Sequence, residues 1–449
     1  MSIFTRHLWI LLATSFVLFS WPFAYFPITD GDINNWSDAA FKFTQTWDWF
    51  QGENDQSHGP LLIWTAAIAI KFFGPSLYAL NLFNVLVSVL GCFFLYYFSF
   101  RFWNNRVVSS LTCFFYVSCL GSVYLARTPM YDWPAAISFF GFCGFYTLYC
   151  DKKRWTHLFL AFLCISIGSL SRFSICLGLA GIFICLMTVI YRRSFWLCVR
   201  DGLFLILAIV LINLPWFMGQ VSVSSLDFVK EFIYDNTGRY VKSTRPGATI
   251  RFDFYGLPLY TLIGLIPYTF LFVGSFFRKK VVSIFKENHY YLVIAAGFLP
   301  ALVLFSFSGH TKLARYIAYV FPFLFMLMAH RFVMVDALDE FFKKRCKKMI
   351  LWVTSFLTLL LVQQSIQFFY EVKQSLLFVL SVLVLVYGIL WIAYEFVKQP
   401  EKIIKSPLKL LPLSCSIYGV FFTLLAYEAY STPFLRRVTD SILKSMELL

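Results

Sequence analysis

Charge is what this chain of 449 residues has least of. Only 14% of it is Asp, Glu, Lys or Arg, where a soluble domain carries about a quarter. With 59% hydrophobic residues and a mean hydropathy of +0.72, a soluble globular fold is excluded. Acidic residues are scarcest, 23 against 38 Lys and Arg. Apolar runs long enough to cross a bilayer recur instead from end to end. There are no alternating segments of about ten residues, which excludes a transmembrane barrel. There is no CxxC pair, no HExxH and no Cys/His ligand spacing, which removes the common zinc and redox motifs. The eleven Cys lie mostly inside apolar runs or at their inner ends, as small core residues do. No internal repeat stands out. The first apolar run, His7 to Phe26, lacks an A-x-A-like cleavage site and reads as a retained helix.

The expected fold is therefore an all-α polytopic membrane protein. Apolar runs place helices near 7–27, 76–99, 107–126, 133–150, 157–173, 175–191, 202–218, 256–277, 290–307, 316–332, 349–370, 375–396 and 409–428, about thirteen spans. Short basic turns fix the orientation, because cytoplasmic loops hold the excess of Lys and Arg. With the N-terminus cytoplasmic, RFWNNR, DKKRW, YRRSFWLCVR, FRKKVVSIFKENH, Arg331 to Lys348 and KQPEKIIKSPLK all fall inside. The net charge of +15 is then a topology signal spread over one face rather than a nucleic-acid surface.

The outer face carries two large loops, 28–75 and 219–255. In the first, Pro27 to Pro60 holds Asp30, Asp32, Asp38, Asp48, Glu53 and Asp55 against a single Lys42. Ile33, Trp36, Ala40, Phe43 and Trp47 recur at helical spacing, predicting an amphipathic helix over Ile33–Trp49 lying on the membrane. Leu61–Phe73 is too short to span comfortably and contains Lys71, so it reads as an interfacial or re-entrant helix. Gly74-Pro75 closes the loop.

The outer turns also gather ionisable groups: Arg127 and Asp132 in LARTPMYDWP, Arg172 in LSRFS, Lys230, Arg239, Tyr240, Lys242, Arg245 and Arg251 in the second loop, and His310, Lys312, Arg315 and Tyr316 in SGHTKLARY. Each has a plain structural explanation, since an Arg or Lys at a span end snorkels to the headgroups and an Asp near a helix start caps it. Their concentration is the signal. Positive-inside bias depletes the outside of cations, so those that remain there point to an anion. Carboxylates and cations on one membrane face suit a single reaction type: a carboxylate deprotonates an acceptor, which attacks a carbon whose leaving group is a phosphate. A divalent metal has thin support, from His58 with Glu53 and Asp55 alone.

In order, these elements resemble the GT-C membrane glycosyltransferases of the lipid A aminoarabinose transferase and protein O-mannosyltransferase branch. The matching stretches are Asp30-Gly31-Asp32 after the first span, His58-Gly59-Pro60-Leu61-Leu62 running to Phe73-Gly74, and Tyr78-Ala-Leu-Asn-Leu82. Arg127 to Asp132, Pro215-Trp216-Phe217 and Lys312-Leu-Ala-Arg-Tyr316 with Pro322 follow. The match covers about the first 330 residues and the thirteen-span layout.

The resemblance implies a GT-C core over 1–332, with 333–449 adding helices and a short tail. It implies a polyprenyl-phosphate sugar donor, undecaprenyl-phosphate in bacteria, and transfer on the periplasmic side of the inner membrane. The acceptor would be lipid A or another envelope lipid, or alternatively a protein, with transport of a lipid-linked sugar as a further reading. By the same likeness Asp30 or Asp32 is the base and Asp132 assists. His58, Arg127, Arg172, Arg239, Tyr240, Lys312, Arg315 and Tyr316 would contact the donor phosphate or sugar. Three departures stand out: Gly31 splits the acidic pair, Gly59-Pro60 replaces a Lys-Pro element, and the large C-terminal periplasmic domain of many relatives has no counterpart in this sequence.

Overall fold

The computed structural model describes residues 6–20, 32–47, 59–117, 119–233, 256–265, 268–269, 288–307 and 314–334. Apart from 331–334 these lie in one compact unit, Met1–Ala24 with Asp30–His330; a second comprises Tyr25–Thr29 and Arg331–Leu449. Every regular element among the described residues is helical. In chain order they are α1 (Arg6–Ser20), α2 (Asp32–Thr46), α3 (Leu61–Phe73), α4 (Leu77–Trp103), α5 (Arg106–Val117), α6 (Leu120–Arg127) and α7 (Asp132–Lys152). Then follow α8 (Trp155–Ser169), α9 (Phe173–Ile190), α10 (Phe195–Ile233), α11 (Gly256–Gly264), α12 (His289–Phe307), a 3₁₀ turn over Ala314–Tyr319, and α13 (Phe321–Met334). Four described segments are long and apolar enough to cross a membrane: Ala79–Trp103, Phe173–Ile190, Phe195–Ser222 and His289–Ser306. The chain is a multi-pass membrane protein.

Helices form at both places where the sequence predicts them between 28 and 75. α3 occupies the predicted Leu61–Phe73, and α2 packs along it. Trp47 ends α2 in the left-handed region (φ 51°), and the Lys71 ammonium sits 4.3 Å from its ring centre. Gly74 closes α3 with φ 76°, a conformation that costs a residue without Cβ nothing.

Three expectations are corrected. The single span over 107–126 is two helices, α5 and α6, with Cys119 in extended conformation at the start of the second. The Cys119 thiol donates to the Gly264 carbonyl at 2.7 Å, so a contact from α11 holds the break. The span over 316–332 starts later, because Ala314–Tyr319 is a 3₁₀ turn. Third, the second outer loop does not begin at 219, because helical backbone continues to Ile233. Trp216 and Phe217 nonetheless lie 5.4 to 6.1 Å from Phe228 and Phe232. Twelve residues of straight helix rise about 18 Å, so the chain folds back between Phe217 and Phe228. The return arm also brings Phe232 to 5.8 Å from Phe173, at the start of α9.

Long side chains crowd the centre. Trp133, Tyr96, Tyr116, Tyr146 and Phe98 are fully buried, and Phe98 meets Phe140 and Phe145 edge-to-face at 5.7 and 5.0 Å. Small residues allow the closest crossings: a Cβ on Gly121 or Gly264 would strike the Phe321 ring. Gly121→Val should cost about 1–3 kcal/mol through overpacking, read as a lower thermal midpoint of the detergent-solubilised protein.

Candidate functional site

Asp132 opens α7 and is completely buried, at one end of the bundle. An isolated carboxylate there would be costly, and two guanidiniums compensate it. Arg172 lies alongside, with Nη2–H donating to Oδ2 at 3.1 Å and Nε 3.1 Å from Oδ1. Arg315 reaches Oδ2 from the 3₁₀ turn, its Nε at 3.1 Å. The two arginine side chains are only 12% and 8% exposed. Burial disfavours the Arg172 charge, but Asp132 more than offsets it, and Tyr316 and Tyr319 add to the effect, so its pKa is raised. Positions separated by up to 183 residues thus form one charged cluster, with Arg172 also 5.8 Å from the Tyr131 ring centre.

The backbone around the cluster is fastened by polar groups from α4. Asn84, fully buried, donates through Nδ2 to the carbonyls of Thr128 (2.8 Å) and Met130 (3.4 Å). One turn along, the Ser88 hydroxyl donates to the Asn84 carbonyl at 2.6 Å and accepts from Trp133 Nε1–H at 2.7 Å. Tyr116 OH donates to the Ser88 carbonyl at 2.9 Å. Asn81, Asn84 and Ser88, at i, i+3 and i+7, share one face of an apolar helix; that spacing was the signal available in the sequence. The Asn84 and Trp133 bonds tie the α6–α7 turn, and so Asp132, to α4.

Arg172 is fixed from the other side. It is the residue before α9 in a tight turn after α8, its N–H bonded to the Gly168 carbonyl at 3.1 Å. The end of α8 is tied to α10 by Asn213, whose Nδ2 donates to Ser169 Oγ at 2.7 Å. The start of α3 docks on the same turn: Leu61 N–H donates to the Leu170 carbonyl at 3.2 Å, and Gly59 lies flat on the Leu170 backbone. Leu61 is a first-turn residue with no helical acceptor, and Leu170 supplies one. A Cβ at position 59 would collide with the Leu170 carbonyl, which gives the His-Gly-Pro element its physical reason for glycine.

The structure thus joins Asp132, Arg172 and Arg315 directly. Tyr316 follows Arg315 and stacks on Phe305 with ring centres 4.5 Å apart. Asp32 begins α2 and Arg127 ends α6, but their side chains are not described. Asp30, His58, Arg239, Tyr240 and Lys312 lie outside the described residues, as do Glu53 and Asp55. Among described residues no group of three or more His, Cys, Asp or Glu could hold a metal. Asn84, Ser88 and Trp133 are members of the site that the motifs did not single out. Asp132→Asn should destabilise the protein by about 3–5 kcal/mol, since two buried cations lose their counterion; thermal unfolding in detergent measures it.

The family model described as dolichyl-phosphate-mannose-protein mannosyltransferase matches residues 57–217. That stretch includes Gly59, Asn84, Asp132 and Arg172. No curated protein sequence is significantly similar to the chain. Among solved structures it is similar to ArnT from Cupriavidus metallidurans bound to undecaprenyl phosphate. The two are 15% identical, with a TM-score of 0.74 over 94% of this chain and 78% of that one. The apo form of the same protein matches at 15% identity, TM-score 0.71, over 93% and 76%. At that identity the likeness establishes the fold.

Proposed function

We propose that this chain, which has the GT-C fold of ArnT, is a glycosyltransferase moving a sugar from a polyprenyl (undecaprenyl) phosphate to an envelope lipid such as lipid A. The observation that carries this reading is the convergence of Arg172 and Arg315 on buried Asp132, beside the turn on which Gly59 and Leu61 dock. Guanidiniums fixed in a water-poor site need no reorganisation when a phosphate leaves, which is where such donors contribute most to rate. The ArnT structure bound to undecaprenyl phosphate supports the donor class.

In this mechanism Asp30 or Asp32 takes the proton of the acceptor hydroxyl. The freed oxygen attacks the anomeric carbon, and the bond from that carbon to the phosphate oxygen breaks with its electron pair going to the phosphate. One displacement inverts the anomeric centre. His58, Arg127, Arg172, Arg239, Tyr240, Lys312, Arg315 and Tyr316 are the proposed contacts for the phosphate or sugar. Asp132 touches neither and is a positioning residue for the two arginines, which sharpens the assisting role expected of it. No step is assigned to a metal. The basic turns support a bacterial inner-membrane orientation with the N-terminus cytoplasmic and this site periplasmic. A protein acceptor is the second reading, favoured by the mannosyltransferase model over 57–217.

Purified protein incubated with radiolabelled polyprenyl-phosphate sugars should transfer label to a lipid acceptor fraction. Label in periplasmic protein alone would favour the second reading, and none in either would sink both. Asp30→Asn or Asp32→Asn should abolish transfer with insertion and folding intact; normal rates in both variants would overturn the base assignment. Gly59→Ala should lower the transfer rate by about ten-fold or more, about 1.4 kcal/mol, by lifting the start of α3 off Leu170. Comparing kcat with thermal stability separates that effect from unfolding.

A further inference from the structure

The end of the bundle remote from Asp132 carries a second charged constellation that the proposed reaction does not use. α7 has 21 residues, so its two ends stand about 30 Å apart, the thickness of a hydrocarbon core. At the far end Asp201 is fully buried and accepts from Tyr146 OH at 2.7 Å, Arg193 Nη2 at 2.8 Å, and Arg200 Nε and Nη2 at 3.0 and 2.7 Å. Arg200 Nη2 also donates to Tyr149 OH at 2.6 Å. Asp201 therefore acts as an internal peg that fixes Arg200 against the bundle. The Arg200 guanidinium lies 5.2 Å from the ring centre of Trp155, which is itself 60% exposed.

Beside this pair, Lys152, Lys153 and Arg154 form the α7–α8 turn and are all exposed. None has an ion-pair partner within 4.0 Å among the described residues. The neighbouring acid is already engaged: Asp151 accepts from Tyr191 OH at 2.7 Å and Tyr290 OH at 3.0 Å, with His289 Nε2 3.9 Å away. Burial, and then the charges of Arg101 and Arg154, lower the Lys152 pKa, with Asp151 opposing them only in part, as expected where cations crowd together. Directly along the helices from this turn the surface becomes apolar. Phe159 and Leu163 on α8 and Leu203 on α10 are 67%, 40% and 61% exposed, and the two helices join through a Phe162–Phe204 contact.

We propose that the Lys152–Arg154 turn, with Arg200 and Trp155, binds the phosphodiester headgroup of an anionic phospholipid whose acyl chains lie along the α8–α10 face. The match is of charge to charge and of apolar length to apolar length. Guanidiniums offer several N–H donors to a phosphate, and a Trp ring suits the headgroup level. A pocket of basic residues at the ends of adjacent spans is a recurrent form of lipid-headgroup site. This site is independent of the proposed transfer reaction, since its residues lie at the opposite end of the bundle.

The test is native mass spectrometry of the full-length, delipidated protein titrated with phosphatidylglycerol or phosphatidylcholine in detergent. Phosphatidylglycerol should bind at least about ten-fold more tightly. The exposed triple variant Lys152→Gln, Lys153→Gln, Arg154→Gln should lose that preference while its thermal midpoint and sugar-transfer rate stay unchanged. Equal binding of the two lipids, or an undiminished preference in the variant, would overturn the proposal. So would displacement of bound phosphatidylglycerol by inorganic phosphate alone, which would mean that the acyl chains contribute nothing. A second variant, Leu203→Gln, tests the chain contacts: it should weaken phosphatidylglycerol without restoring phosphatidylcholine, and unaltered affinity would remove the α8–α10 face from the site.

Discussion

One carboxylate in a place where no lone carboxylate could stay organises much of this molecule. Asp132 is sealed at the end of α7, and the low dielectric around it makes partnership with cations obligatory rather than helpful. Arg172 and Arg315 come from segments far apart in the chain and meet on this one carboxylate. Each is in turn held by its own turn: Arg172 by the tight link between α8 and α9, Arg315 by the 3₁₀ segment Ala314–Tyr319. The cost of burying the charge is thereby converted into a fixed orientation for two guanidiniums.

The surrounding hydrogen bonds extend that constraint outward. Asn84 and Ser88 tie the Asp132 turn to α4, and Asn213 ties the end of α8 to α10. Gly59 and Leu61 bring the start of α3 onto Leu170. Most buried polar side chains are hydrogen-bonded, and these few contacts link the helices that carry the candidate site. The proposed chemistry depends on that rigidity, because donors that stabilise a departing phosphate act best when already in place.

The two ends of the bundle solve the same problem differently. At one end a single Asp gathers two arginines into the interior. At the other, Asp201 also binds two arginines, but one of them, Arg200, stays about a third exposed and leans on an exposed Trp. The first arrangement is the one proposed to meet a reacting phosphate, the second a lipid phosphate at the surface.

How much of this was legible beforehand follows from the range of the forces involved. Apolar runs and the amphipathic pattern of Ile33–Trp49 are local features, and they determined the membrane class and the α2 and α3 segments. The sequence also placed Asp132, Arg172 and Arg315 among the candidates by residue type and position near span ends. It could not pair them, because an ion pair across 40 or 183 residues depends on how helices pack, and nothing local records that. For the same reason the break between α5 and α6, held by Cys119 on the Gly264 carbonyl, looked like continuous span, and the return of α10 toward Trp216 looked like loop. Hydropathy reports which residues leave water; only the tertiary structure decides which of them then touch.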